Sequence, residues 1–233
     1  PEGFEFSWQA LSYYETDANR RWVAGLYNLV GRQYMEMGQL EWAKRYFQQA
    51  LDQMEGLATN KTQADIHLNW SLLYTRTADY DRAQEHVHEA IDIYRKFDSM
   101  DKLTKALVIQ ARVHEALKDF KSALEYLNQA LLITEEHGLL YRKVRVLLAI
   151  GQIALEQQDY ESSFSHLQQA LVLADQLNLR HESIRIHRSL ARGYKQIGSF
   201  DNSLDHFESF YRYEKQIEKE QDVQRIRSLE IMH

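Results

Sequence analysis

One pattern of residues recurs along this chain every 40 residues. In its first copy a small residue, Ala43, is followed by large apolar Phe47 and then by Ala50. The pattern returns in segments 83–90, 123–130 and 163–170 and, in degraded form, in segment 203–210. Positions i, i+4 and i+7 share one face of an α-helix, so each copy predicts a helix that packs through small residues. A fixed period of this length is typical of a solenoid of stacked helix pairs, whose usual role is binding.

A second helix is predicted before each of these segments, and the two form a pair, helix A followed by helix B. In the first repeat, helix A is marked by Tyr27, Val30, Gly31 and Tyr34, with counterparts at 40-residue intervals. Asp79, Asp119, Asp159 and Ser199 stand just before helix B and are expected to cap its N-terminus. Gly38 and Gly198 occupy the matching turn in the first and fifth repeats. The sequence therefore predicts tight turns between the helices of each pair.

The two helix patterns together resemble the tetratricopeptide repeat family over residues 22 to 211. The resemblance implies an all-α fold, a right-handed α-α superhelix that forms a solenoid. The chain departs from the family in two ways: no proline follows helix B, and the period is 40 residues rather than 34. Both departures imply longer helices, as in the extended repeats of signalling and peptide-sensing proteins.

Three segments are predicted from the position of the repeats. Residues 1–20 are expected to hold the remnant of a preceding repeat, residues 21–211 five helix pairs, and residues 212–233 a long C-terminal helix. This last helix has two interpretations: a cap on the last repeat, or a coiled coil that forms a homodimer and leads into a further domain. The segment is similar to the linker that joins such repeats to a diguanylate cyclase, an adenylate cyclase or a histidine kinase in bacterial signalling proteins.

Composition limits the classes of function. The net charge of −6 argues against general binding of nucleic acid. The chain has no cysteine, which excludes disulfides and fits a cytoplasmic location, and no apolar run is long enough to span a membrane. No catalytic motif is present, so the chain is not expected to be an enzyme or to need a cofactor or a metal. The histidines of helix A, at positions 67, 114 and 187, are expected to be packed rather than to bind metal.

The resemblance also implies a ligand groove, because helix A lines the concave surface of tetratricopeptide repeats. The predicted groove residues are Asn28, Arg32, Leu68, Asn69, Leu72, Lys105, Val108, Arg112, Arg145, Leu148, Gln152, Arg185, Arg188, Arg192 and Lys195. The middle of this set is apolar and its C-terminal half is cationic, which suits a peptide with an acidic or carboxylate end. Asn28 and Asn69 are expected to bind the peptide backbone. Alternatively, the cations pair with acidic residues of the C-terminal helix, such as Glu214 and Glu218, or are simply solvated.

These observations favour a regulatory sensor region of a cytoplasmic bacterial signalling protein. It would bind a peptide or protein segment and relay the event through the C-terminal helix. The alternative function is a passive adaptor or chaperone-like scaffold without a switching role.

Overall fold

The computed structural model describes residues 20–231, with side chains described to Glu220, and this part of the chain contains helices and no strand. The helices are α1 (Arg20–Glu36), α2 (Leu40–Met54), α3 (Lys61–Arg76), α4 (Tyr80–Lys96), α5 (Met100–Ala116), α6 (Phe120–Glu136), α7 (Leu140–Glu156), α8 (Tyr160–Gln176), α9 (Arg180–Gln196) and α10 (Phe200–Ile231). The predicted all-α class is confirmed. The remnant repeat predicted before residue 20 lies outside the described residues. Among the described helices, none is long and apolar enough to cross a membrane.

The turn between the two helices of each pair has the same left-handed backbone conformation every 40 residues. It falls at Gly38, Ala78, Lys118, Gln158 and Gly198, with φ between 58° and 78°. Each such residue ends helix A and lets the next N–H reach back five residues, as when Asp79 N–H donates to the Tyr74 carbonyl at 2.9 Å. Glycine adopts this conformation without strain, which explains its presence at two of the five turns.

The start of helix B is capped in the three middle repeats as predicted. The side chain of Asp119 accepts a hydrogen bond from Ser122 N–H, and that of Asp159 from Ser162 N–H, both at 3.1 Å. Asp79 makes the same contact with Arg82 N–H at 3.4 Å. The hydrogen bonds from Ser122 lower the pKa of Asp119, because they favour the charged carboxylate.

The chain divides after Ala130 into two compact units. In the first unit, α1 packs on α2, α2 on α3, α3 on α4, and α4 on α5. The predicted packing face is confirmed, because Ala43, Phe47 and Ala50 are fully buried. Gly31 allows the closest approach of α1 to α2: a Cβ added there would lie 2.6 Å from the ring of Phe47.

The second unit repeats this packing with α7 on α8, α8 on α9, and α9 on α10. Gly151 of α7 lies against Leu167 of α8, and the hydroxyl of Ser163 donates to the Gly151 carbonyl at 2.8 Å. α10 has 32 residues, whereas α9 has 17, so it continues well beyond the length of a repeat helix. The predicted boundary between residues 211 and 212 therefore lies inside one continuous helix.

In the fifth copy of the pattern, segment 203–210, Phe207 takes the place of Phe47, and the sequence predicts that it packs between helices. This prediction is wrong, because the Phe207 side chain is largely exposed. Its counterparts Phe47 and Leu167 are fully buried. Phe47 also packs on Trp70, which belongs to helix A of the following repeat. No further helix A follows α10 within the described residues, so nothing there covers Phe207 in the same way.

Candidate functional site

Two asparagines meet on the helix A surface of the first unit. The Nδ2 amide of Asn69 on α3 donates to Oδ1 of Asn28 on α1, at 2.8 Å. The guanidinium of Arg76, at the end of α3, also donates to the carbonyl of Met35 near the end of α1. These two bonds join α1 to α3 and orient the asparagine side chains. The structure therefore brings together the two residues that the sequence predicted to bind a peptide backbone.

The other predicted groove residues of the first unit differ in exposure. Arg32 and Arg112 are exposed, and Leu72, Lys105 and Val108 are half-buried. They lie on α1, α3 and α5, the three helices A of this unit, and α3 packs against both of the others. The first unit thus presents asparagine amides, cationic groups and two accessible apolar side chains on its helices A.

In the second unit, the predicted cationic row lies along α9. Arg185 is half-buried, and Arg188, Arg192 and Lys195 are exposed. Their spacing places all four on one face of the helix. On α7, the Nε2 amide of Gln152 donates to the Ser189 hydroxyl of α9 at 3.1 Å. This bond joins the two helices A of the second unit.

Arg145 also belongs to the predicted groove and lies on α7. It is half-buried, with its guanidinium 5.9 Å from the ring centroid of Tyr141. The Tyr141 hydroxyl accepts a hydrogen bond from it at 3.5 Å. The Arg145 side chain is therefore held on the surface of α7 by Tyr141, a residue of the same helix.

One cation of the α9 row pairs with α10, as the alternative interpretation of the row predicted. Arg188 lies 4.0 Å from the carboxylate of Glu214 and 4.9 Å from the ring centroid of Phe210. Arg180, at the start of α9, pairs with Glu220, which also lies on α10. Both partners of the Arg188–Glu214 pair are well exposed, so the pair contributes at most about 1 kcal/mol to stability. A ligand carboxylate can therefore compete with Glu214 for Arg188 at low cost.

The prediction of an accessible apolar groove floor at Leu68 and Leu148 is wrong. Leu68 is 2% exposed and Leu148 is 1% exposed. A helix A packs against its own helix B and against neighbouring helices on both sides, so its buried face is wider than one stripe of the helix. Asn69 is also buried, and its side-chain amide donates to Asn28, which is half-buried.

Comparison with known proteins identifies the repeat. Residues 24–53 and 62–136 each match a model of the tetratricopeptide repeat. These two segments are tetratricopeptide repeats. The comparison with curated proteins found no match.

Solved structures with tetratricopeptide-like helix pairs share the fold at low sequence identity. A Rap protein complexed with competence and sporulation factor superposes with a TM-score of 0.77 at 16% identity, over 90% of this chain and 59% of that one. Aspartyl phosphate phosphatase F from Bacillus subtilis gives a TM-score of 0.69 at 14% identity, over 90% of this chain and 64% of that one. A signal transduction ATPase with a tetratricopeptide repeat sensor, from Pyrococcus horikoshii, gives a TM-score of 0.69 at 14% identity, over 87% of this chain and 34% of that one. This chain spans less than two thirds of the length of each.

Two of the repeats contain a histidine pair that sequence reasoning missed. Nδ1 of His67 lies 2.9 Å from Nδ1 of His86, and Nδ1 of His187 lies 2.9 Å from Nδ1 of His206. In each histidine pair one ring comes from helix A and the other from helix B, 19 residues later. The recurrence of this spacing after three repeat lengths was the available signal. His67 and His187 are packed in the structure, as the sequence predicted.

The surroundings of the histidine pairs favour neutral rings. Burial lowers the pKa of His86 to about 4, and the nearby His67 and Arg82 add to the effect. Burial likewise lowers the pKa of His67, and burial together with His206 lowers that of His187. At Nδ1 one ring must donate and the other accept, an arrangement that only neutral rings or a singly protonated pair allow.

Proposed function

We propose that this chain is a peptide- or protein-binding tetratricopeptide repeat region that regulates a signalling protein. The observation that carries the proposal is the hydrogen bond between Asn28 and Asn69 on the helix A surface of the first unit. The bond uses one N–H of Asn69 and one acceptor site of Asn28. The half-buried Asn28 keeps its amide NH₂, whose two N–H groups can donate to a peptide backbone, and the buried Asn69 orients it.

Other side chains of the first unit add apolar and charged contacts to this backbone recognition, and the second unit has a separate cationic surface. Leu72 lies one helical turn beyond Asn69 on α3, and Arg32 one turn beyond Asn28 on α1. In the second unit, the cationic row of α9 favours acidic side chains or a C-terminal carboxylate, because guanidinium groups bind carboxylates in a bidentate manner. We therefore propose a ligand with acidic character.

Two of the structural neighbours support a regulatory role for such binding. One Rap structure contains a Rap protein in complex with competence and sporulation factor, and the P. horikoshii protein carries a tetratricopeptide repeat sensor. For this chain we propose that binding is relayed through α10, which extends beyond the last repeat. The proposal places the protein in the cytoplasm, where such a ligand would reach it.

The experiment is a selection from a random peptide library on the immobilised chain, followed by fluorescence anisotropy with the enriched peptides. We expect Asn28→Ala to weaken binding about tenfold or more, because two hydrogen bonds of about 1 kcal/mol each are lost. The matched control is Asn128→Ala, an exposed asparagine on α6 that belongs to helix B. Enrichment of no peptide, or equal affinities for wild type and Asn28→Ala, would reject the proposal.

A second measurement separates a sensor from a passive adaptor. Hydrogen exchange of α10 is compared with and without a bound peptide. A sensor that signals through α10 changes the exchange of this helix, because the ligand favours one arrangement of the repeats over another. An adaptor leaves the exchange of α10 unchanged.

A further inference from the structure

The last described helix has an apolar stripe that is largely exposed in the described part of the chain. Phe200, Leu204, Phe207 and Tyr211 are 68%, 56%, 57% and 53% exposed. Their spacing of four, three and four residues places them on one face of α10. We call these four residues the α10 stripe. Single exposed apolar residues are ordinary, but four on one helix face form a contiguous patch.

α8 is the helix B that precedes α10, and its face equivalent to the α10 stripe packs on another helix. Phe164, the counterpart of Leu204, stacks on Tyr194 of α9 with ring centroids 4.3 Å apart. Leu167, the counterpart of Phe207, is fully buried. α10 itself contacts α9 through a different face, which carries His206 and Tyr213. The α10 stripe therefore has the composition of a surface that receives a helix.

The charges beside the α10 stripe change sign along the helix. The charges are symmetric about residue 210: Asp201 lies nine positions before it and Lys219 nine positions after it. Glu208 lies two positions before it and Arg212 two positions after it. All four side chains are exposed. At 100° per residue they lie on the same flank of the stripe. When two identical helices pack antiparallel, equal flanks meet, so each acidic residue would face a basic residue of the other copy.

We propose that a second copy of this chain docks on the α10 stripe through its own α10, antiparallel and with the two-fold axis beside residue 210. This arrangement pairs Asp201 with Lys219 of the second copy and Glu208 with its Arg212. It also brings Phe207 of each copy close to Tyr211 of the other, whereas Phe200 and Leu204 face segment 216–220 of the other α10. The interface is isologous, as expected for a symmetric dimer. It centres on the last repeat, whereas the sequence predicted a dimer through residues 212–233.

The expected size of this interface indicates a reversible dimer. Large apolar side chains bury about 150–250 Å² each, so the exposed parts of the four stripe residues contribute roughly 400 Å² per copy. Two copies then bury roughly 800–900 Å² of apolar surface, and the charged flanks bring the total to about 1,000 Å² or more, near the lower limit for specific interfaces. The dimer should therefore dissociate on dilution.

The first test is the molar mass of the chain, by sedimentation or light scattering, from about 1 to about 200 μM. We expect a rise from monomer to dimer, and its loss in Leu204→Glu combined with Phe207→Glu. The control Val172→Glu alters a residue of α8 with the same 57% exposure as Phe207, and it should keep the dimer. A wild-type chain that stays monomeric, or a double variant that still dimerises, overturns the proposal.

The second test addresses the antiparallel geometry by exchanging charges. One variant carries Asp201→Lys and Glu208→Lys, and the other carries Arg212→Glu and Lys219→Glu. Each alone should dimerise at least tenfold more weakly than wild type, because like charges then face each other. Their equimolar mixture should recover a mixed dimer of nearly wild-type affinity. Failure of the mixture to recover, with both variants folded by circular dichroism, overturns the antiparallel arrangement.

Discussion

Two glycines of α1 allow a direct test of how closely the repeat helices pack. Gly31 faces α2, whereas a Cβ added at Gly25 meets no atom of the described residues 20–220 within 4 Å. Gly31→Ala and Gly25→Ala therefore make the same chemical change in the same helix and differ only in their surroundings. We expect the two substitutions to change the free energy of unfolding in opposite directions.

The magnitude follows from the contacts of the added methyl group. At Gly31 it would lie 2.6 Å from two ring carbons of Phe47 and 3.2 Å from the carbonyl oxygen of Ala43. Phe47 is fully buried and packs on the ring of Trp70, so it cannot move aside without disturbing α3. Overpacking of this kind costs about 1–3 kcal/mol, against a gain of about 1 kcal/mol in helix propensity. We expect a net loss of up to about 2 kcal/mol for Gly31→Ala and a gain of about 0.5–1 kcal/mol for Gly25→Ala.

The assay is urea unfolding followed by tryptophan fluorescence. All four tryptophans occur before residue 71, so the signal reports on the first unit. The expected result is a lower midpoint for Gly31→Ala and a slightly higher one for Gly25→Ala, at an unchanged slope. Equal midpoints for the two variants would refute the argument that α1 and α2 are in contact at Gly31.

Two further predictions concern the charged and titratable groups. Burial lowers the pKa of His67 and His86 below the value in the unfolded chain, so the native state binds fewer protons than the unfolded state. The stability that this contributes is present above about pH 6.5 and is lost as the pH falls towards 4. Melting temperatures at pH 7 and pH 5 should show this loss, and His86→Tyr, which introduces the residue found at this position in the first and third repeats, should reduce it. Arg188→Glu together with Arg192→Glu should weaken binding of an acidic library-selected peptide more than tenfold in anisotropy titrations. The control Lys121→Glu changes an exposed residue of α6 and should leave the affinity within twofold of wild type. Equal effects of the two variants would remove the α9 row from the site.

Much of the fold was predictable because one physical rule repeats along the chain. Small residues are needed wherever two helices approach closely, and the 40-residue return of Ala43 and its counterparts therefore marks every helix B. The aspartate caps and the glycine turns depend on neighbours within six residues and were equally visible. The asparagine pair was predictable as two candidates, although not as a bonded pair.

What the tertiary structure decided depends on residues far apart in the chain. Periodicity shows which side of a helix is apolar, but burial of Leu68 and Leu148 depends on how many neighbouring helices surround helix A. The histidine pairs join rings 19 residues apart, and Arg188 meets Glu214 only because α10 continues alongside α9. The sequence by itself determined the repeat, the helix faces and the turns, because these are local properties of the chain. Only the packing of one repeat on the next decided which polar groups pair and which surfaces, such as the α10 stripe, stay open to a partner.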